Sequence, residues 1–268
     1  MFYNCRKLKS LNLDSFETEN AGDMKNMFSE CVSLEYLGLK NFRGNKVTSM
    51  SYMFSNCQRL TSIDLSEFET PELKYLEYIF QNCTSLRYLN IQKLQTAQVP
   101  YMINLFTNCS RLNSLDLTNF DTGKALNFAN MFANCTSLSS VDTSNWDTAE
   151  VLNMEGMFEG CSKMTSINLK NFNTEKVMQM SKMFKRCSNL EYLNVKSFNT
   201  LKVTAMNEMF YTLPNLRSLD LTSFSTSKCD RFSSIFEGNT NLTITAKREV
   251  CSNILTGIPS GVKVNYID

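Results

Sequence analysis

A phenylalanine returns every 26 residues, at positions 2, 28, 54, 80, 106, 132, 158, 184, 210 and 236, without one insertion or deletion. A fixed period in the range of about 20–50 residues means that one unit is copied and stacked, each copy completing its neighbour's core. The column does not stand alone. Around it runs M-F-x-x-C-x-x-L-x-x-L-x-L-x-x-F, as in Met27-Phe28, Cys31, Leu34, Leu37, Leu39 and Phe42. The chain is therefore expected to be one elongated body whose core runs its whole length.

Within each unit the L-x-L step, such as Leu11 and Leu13, puts two apolar residues two apart between polar ones. That is the alternation of a half-buried strand. Strands one unit apart must run parallel, and nine are expected, centred near Asn12, Gly38, Asp64, Asn90, Asp116, Asp142, Asn168, Asn194 and Asp220. The return segment begins at the Phe16 column and a threonine column (Thr18, Thr70, Thr96, Thr122). It continues as V-x-x-M-x-x-M-F, for example Val47, Met50, Met53 and Phe54. Those spacings match one stripe of a short helix, and Pro71 after Thr70 suits a helix start. Pro100 lies three residues further into its own unit, which implies a ragged start between copies. The expected fold class is thus α/β: a leucine-rich-repeat solenoid, a right-handed horseshoe with parallel strands on the concave face and helices on the convex one. Residues 1–245 are assigned to the solenoid, with about nine full rungs and a degenerate tenth. Residues 246–268 are assigned to a C-terminal cap carrying Val250, Ile254, Leu255, Ile258, Val262, Val264 and Ile267.

Eight of the ten cysteines (Cys5, Cys31, Cys57, Cys83, Cys109, Cys135, Cys161, Cys187) share one repeat column. They read as reduced, buried side chains rather than a disulfide framework, because a chain this long has ample core without cross-links. The formal net charge is +1 with both signs scattered, which recommends neither nucleic acid nor an anionic membrane. No apolar run approaches the length of a membrane span. Met1 and Phe2 fall on the repeat's own columns, so the chain is expected to open partway through a unit, and the missing export signal then says nothing of compartment.

The pattern, with F-x-T-x-x-V-x-x-M completing it, resembles the BspA-like leucine-rich-repeat surface proteins of bacteria. Met131-Phe132-Ala133-Asn134-Cys135-Thr136-Ser137-Leu138 and Asn119-Phe120-Asp121-Thr122 carry the resemblance most closely. It covers most of the chain; Ile79, Leu105 and Ile235 replace the methionine, Leu94 the aromatic and Gly44 the threonine. The resemblance implies a secreted or surface-anchored protein that adheres to host or neighbouring-cell macromolecules, with no fixed set of ligand residues.

Histidine is absent, and no nucleotide-binding, metal or nucleophile motif occurs, so no catalytic residue, cofactor or metal is assigned. The remaining surface is the outward side of the strands, where the repeat permits variation. Tyr36, Tyr88 and Tyr192 replace an otherwise consistent serine, and tyrosine offers a rigid apolar body with a polar tip. With Lys40, Asp64, Asp116, Asp142, Lys170 and Lys196 they form the expected binding face for a protein or glycan partner. Asp116 and Asp142 should stand on adjacent rungs, and Asp121 with Asp147 make a second pair. A divalent cation is conceivable there, but neighbouring hydroxyl and amide donors are the more ordinary solution. Asn82, Asn108 and Asn134 lie in N-x-S/T sequons yet abut the cysteine corner, where they are expected to serve the turn. The alternatives to an adhesive module are a self-associating surface spacer, joined through the N-terminal edge, and an intracellular interaction scaffold.

Overall fold

A computed structural model describes residues 1–267; Asp268 and the side chain of Val250, both in the expected tail, lie outside it. The chain winds into stacked coils of 26 residues. On one side, β1 (Ser10–Asn12) pairs with β2 (Tyr36–Gly38), and β3 (Ser62–Asp64) with β4 (Tyr88–Asn90), all parallel and each displaced by one unit. β5 (Ser218–Asp220) joins β6 (Leu242–Lys247), which joins β7 (Val262–Ile267). Among the described residues, the four expected strands centred on Asp116, Asp142, Asn168 and Asn194 are too sparsely paired to form a ladder, Ser166 and Tyr192 sharing a single bridge.

The expected helices on the return side are not formed. Among the described residues the only α-helix is α1 (Arg248–Cys251), in the tail. The V-x-x-M-x-x-M-F stripe instead follows a chain of β-turns. Met27 N–H bonds to Met24 O and Cys31 N–H to Phe28 O, with Asn26 and Glu30 at the third position of each turn in left-handed conformation (φ 58° and 64°). A positive φ at that position marks a type II turn. Consecutive turns place an inward residue every third position, so their spacing mimics a helical stripe. Packing explains the choice. The Phe2-to-Phe236 column forms one continuous stack, ring centroids 5.6–6.2 Å apart and planes within 3–16°. Packed helices need about 8–10 Å between axes, against about 4.8 Å between paired strands. Coils held at the ring spacing leave no room for helices.

Hydrogen bonds between coils replace helical ones. Phe28 N–H reaches Met53 O, Phe54 N–H reaches Ile79 O, and the relation recurs along the chain at 2.9–3.1 Å. A row of parallel bridges runs through Asp23, Ser49 and Tyr75, then resumes through Tyr101, Asn127, Asn153, Gln179, Ala205 and Arg231. Pro100 accounts for the single break. In every flanking coil the residue at this column donates its N–H to the coil before, as Lys74 does to Thr48 O and Leu126 to Pro100 O, and proline has none to give. Pro71 sits second in the turn closed by Leu73 N–H and Thr70 O, where its fixed φ suits a turn and not a helix.

The cysteine, threonine and asparagine columns each have a bonding reason. All ten thiols are free. From Cys31 to Cys187, seven Sγ atoms donate to the carbonyl of the phenylalanine 29 residues earlier, at 3.0–3.2 Å. Where the column turns to Asn239, its Nδ2 takes up Phe210 O and Phe236 O while its Oδ1 accepts Leu213 N–H. The Thr148 and Thr174 hydroxyls each donate to the next coil's carbonyl and accept its amide. The sequon asparagines have left-handed backbones and form a ladder: Asn82 Nδ2 bonds Asn56 Oδ1, Asn108 bonds Asn82, and Asn134 bonds Asn108. Their amide nitrogens are engaged between coils.

The tail adds to the sheet. β6 is displaced from β5 by 25 residues instead of 26, which keeps Ile244 inward opposite Leu219. β7 pairs with β6 along its full length, while Cys251, Ile254 and Leu255 are buried beneath.

Candidate ligand-binding face

The outward strand residues begin with a structural duty. Asp64 Oδ1 accepts the Ser66 amide, Asp116 Oδ1 the Thr118 amide and hydroxyl, and Asp142 Oδ1 the Ser144 amide. Asn168 and Asn194 do the same for the amides of Lys170 and Lys196. The Asn/Asp column thus closes the bend at each strand exit, as such side chains do two residues ahead of a free amide. Gly38 lacks that side chain, and Asp14 of the preceding coil reaches across to bond Lys40 N–H instead. These bonds also set the charge. The Thr118 hydroxyl and amide, then Gln92, hold the Asp116 carboxyl below its ordinary range, and Ser144 does so for Asp142. Burial pushes Asp220 upward, but Thr222 and the Lys196 ammonium outweigh it and the net shift is down. Asp116 and Asp142 thus each have hydroxyl and amide donors on the carboxylate, and no group of three or more metal-ligating side chains occurs among the described residues.

Tyr36, Tyr88 and Tyr192 stand 53%, 54% and 62% exposed, while the Met, Phe and Cys columns are buried from Met27, Phe28 and Cys31 onward. Each tyrosine borders a recess where neighbouring strands are unpaired among the described residues. One, of about 340 Å³, lies between β2 and β3 and gathers Tyr36, Lys40 and Asp64. The next, about 350 Å³, lies between β4 and the following coil and gathers Tyr88, Gln92 and Asp116. The third, about 310 Å³, lies before β5 and gathers Tyr192, Lys196 and Asp220. Gln92 Nε2 spans the second opening to Asp116 Oδ2 at 2.9 Å, and Lys196 Nζ spans the third to Asp220 Oδ2 at 3.0 Å. Asp142 and Lys170 are exposed on the same face but line none of these three recesses.

The expected binding face left out Gln92 and Asp220, although Gln92 shares a repeat column with Lys40, Lys170 and Lys196, and Asp220 shares one with Asp64, Asp116 and Asp142. It also missed the opposite ladder. There Tyr52 and Tyr78 stack at 4.5 Å, and Tyr75 and Tyr101 are 51% and 41% exposed on the two sides of the Pro100 break. With Asp23, Lys25 and Glu77 the first three border a recess of about 540 Å³.

Stacked parallel coils with a polar, tyrosine-bearing strand face define a leucine-rich-repeat type of solenoid. The chain belongs to a family described as "Mycoplasma protein of unknown function, DUF285", whose model matches residues 1–88, 64–166 and 162–254. The comparison with curated proteins gave no match. Similar solved structures include a TLR13–ssRNA13 complex (14% identity, 96% of this chain and 49% of that one, TM-score 0.27). They also include an internalin, inlF, of Listeria monocytogenes (14%, 98% and 88%, TM-score 0.23) and a leucine-rich-repeat protein of Leptospira interrogans (10%, 88% and 73%, TM-score 0.25). The chain spans about half the length of the first of these. Among the described residues, no helix is long and apolar enough to cross a membrane.

Proposed function

We propose that the chain is a non-catalytic binding module of a bacterial cell-surface or secreted adhesin of the BspA-like kind, recognising host or neighbouring-cell macromolecules through its strand face. One observation carries the reading: three large aromatic side chains stand more than half exposed on a face whose backbone bends are fixed by side-chain bonds. Exposed aromatics on a rigid base cost little entropy to immobilise on binding. Residues 1–245 carry the binding coils in this reading, and 246–268 finish the last of them. The test is binding to extracellular-matrix protein and to intact neighbouring cells. Tyr88→Ala with Tyr192→Ala, or Lys170→Glu with Lys196→Glu, is expected to weaken it at least tenfold in a protein that stays monomeric. Unchanged binding together with concentration-dependent assembly would instead establish a self-associating spacer.

A further inference from the structure

The three recesses share one design. In each, backbone pairing between two neighbouring coils gives way, a tyrosine stands at the start of one strand, and an aspartate faces it from the next. The aspartate is held in place: Asp64, Asp116 and Asp220 each accept a bend amide N–H at Oδ1, which restrains the carboxylate. A donor side chain, Lys40, Gln92 or Lys196, stands beside it at the strand exit. A flat apolar ring next to a fixed acceptor and a nearby donor suits a ligand with one apolar face and a hydroxylated rim, which is the chemistry of a pyranose. At about 310–350 Å³, each recess is near the lower bound of ligand pockets, about 300 Å³, and admits a small unit rather than a folded domain.

Charge narrows the class. Along the outward strand positions stand five carboxylates (Asp14, Asp64, Asp116, Asp142, Asp220) against three ammonium groups (Lys40, Lys170, Lys196), which disfavours a polyanion. Spacing points to a polymer. The second recess lies two coils beyond the first and the third four coils beyond the second, so they are at least about 10 Å and about 19 Å apart. A chain of like units can engage several at once, and linked engagement raises affinity without new contacts.

We propose that these recesses are equivalent subsites for a neutral linear polysaccharide. The proposal rests on the strand-face reading above and narrows its ligand. The probes are size-graded oligomers of β1,4-linked glucose and of β1,4-linked N-acetylglucosamine, with heparin as the polyanionic comparison, titrated against the whole chain. The expected result is binding of at least one neutral series that tightens with oligomer length, with heparin much weaker. Tyr36→Ala, Tyr88→Ala and Tyr192→Ala should each loosen the longest oligomer several-fold, and the triple variant by roughly 100-fold or more. These side chains are exposed, so thermal unfolding of the variants should match the parent. Absence of binding by both neutral series, heparin binding more tightly, or indifference to the triple substitution would overturn the proposal. If matrix-protein or cell binding still depends on the tyrosines in that event, the strand-face reading stands and only the ligand class falls.

Discussion

At the scale of single residues, the cysteine, threonine and asparagine columns answer bonding demands between coils. Thr174 is fully buried, and its hydroxyl serves both the carbonyl and the amide of Asn199. Thr174→Val keeps the shape and orphans both partners, so a loss of about 1–3 kcal/mol is expected in denaturant unfolding, while Thr174→Ser should retain most of the stability. The cysteines make a second prediction. Burial pushes the Cys135 and Cys187 thiols from an ordinary value of 9.0 up to about 12, and those of Cys57, Cys83, Cys109 and Cys161 well upward. A raised folded value favours the protonated thiol in the native state. The stabilisation is complete below pH 9.0 and is lost as pH climbs toward about 12, because unfolded thiols release protons first. Each such thiol should steepen the decline by about 1.4 kcal/mol per pH unit, so pH-dependent unfolding is expected to collapse sharply on the alkaline side. An Ala or Ser substitution at Cys135 should flatten that slope.

At the scale of elements, the strand allotment followed from the L-x-L alternation, which has a single structural meaning, and Leu11, Leu37, Ile63, Leu89 and Leu219 lie at the centres of β1 to β5. The return segment was not legible in the same way. Val47, Met50, Met53 and Phe54 fit a helix and a succession of β-turns equally well, and the spacing alone cannot separate them. The signal that could have decided was the residues between. Asn56, Asn82, Asn108, Asn134 and Gly160 share one column, and asparagine and glycine are the residues that enter left-handed conformation at least cost. The recesses were only half legible: the tyrosine column showed in the sequence, but which neighbouring strands pair depends on coil spacing. The phenylalanine stack is the element that sets this spacing. Phe106→Ala removes a fully buried ring from its middle, and a loss of about 3–5 kcal/mol is expected. Coils couple only to their neighbours, so a weakened middle should split thermal unfolding into two transitions where the parent shows one.

At the scale of the whole molecule, the account rests on one coil for every 26 residues, stacked in a single direction. The recesses, the tyrosine face and the multivalent reading all inherit their spacing from that stack. Distance between equivalent strand positions must then grow in proportion to the number of coils between them. Spin labels placed by cysteine substitution at exposed strand positions, in pairs Ser114 with Ser218 and Ser10 with Ser218, measure this by pulsed dipolar spectroscopy; the half-buried Cys5 is first replaced by serine, and the other nine native thiols, buried, should stay unlabelled. Taking the paired-strand spacing of about 4.8 Å as the lower bound per coil and the ring spacing of 5.6–6.2 Å as the upper, the separations should be about 19–25 Å and about 38–50 Å, the second about twice the first. Two similar distances, or a longer separation in sequence giving the shorter one in space, would contradict it.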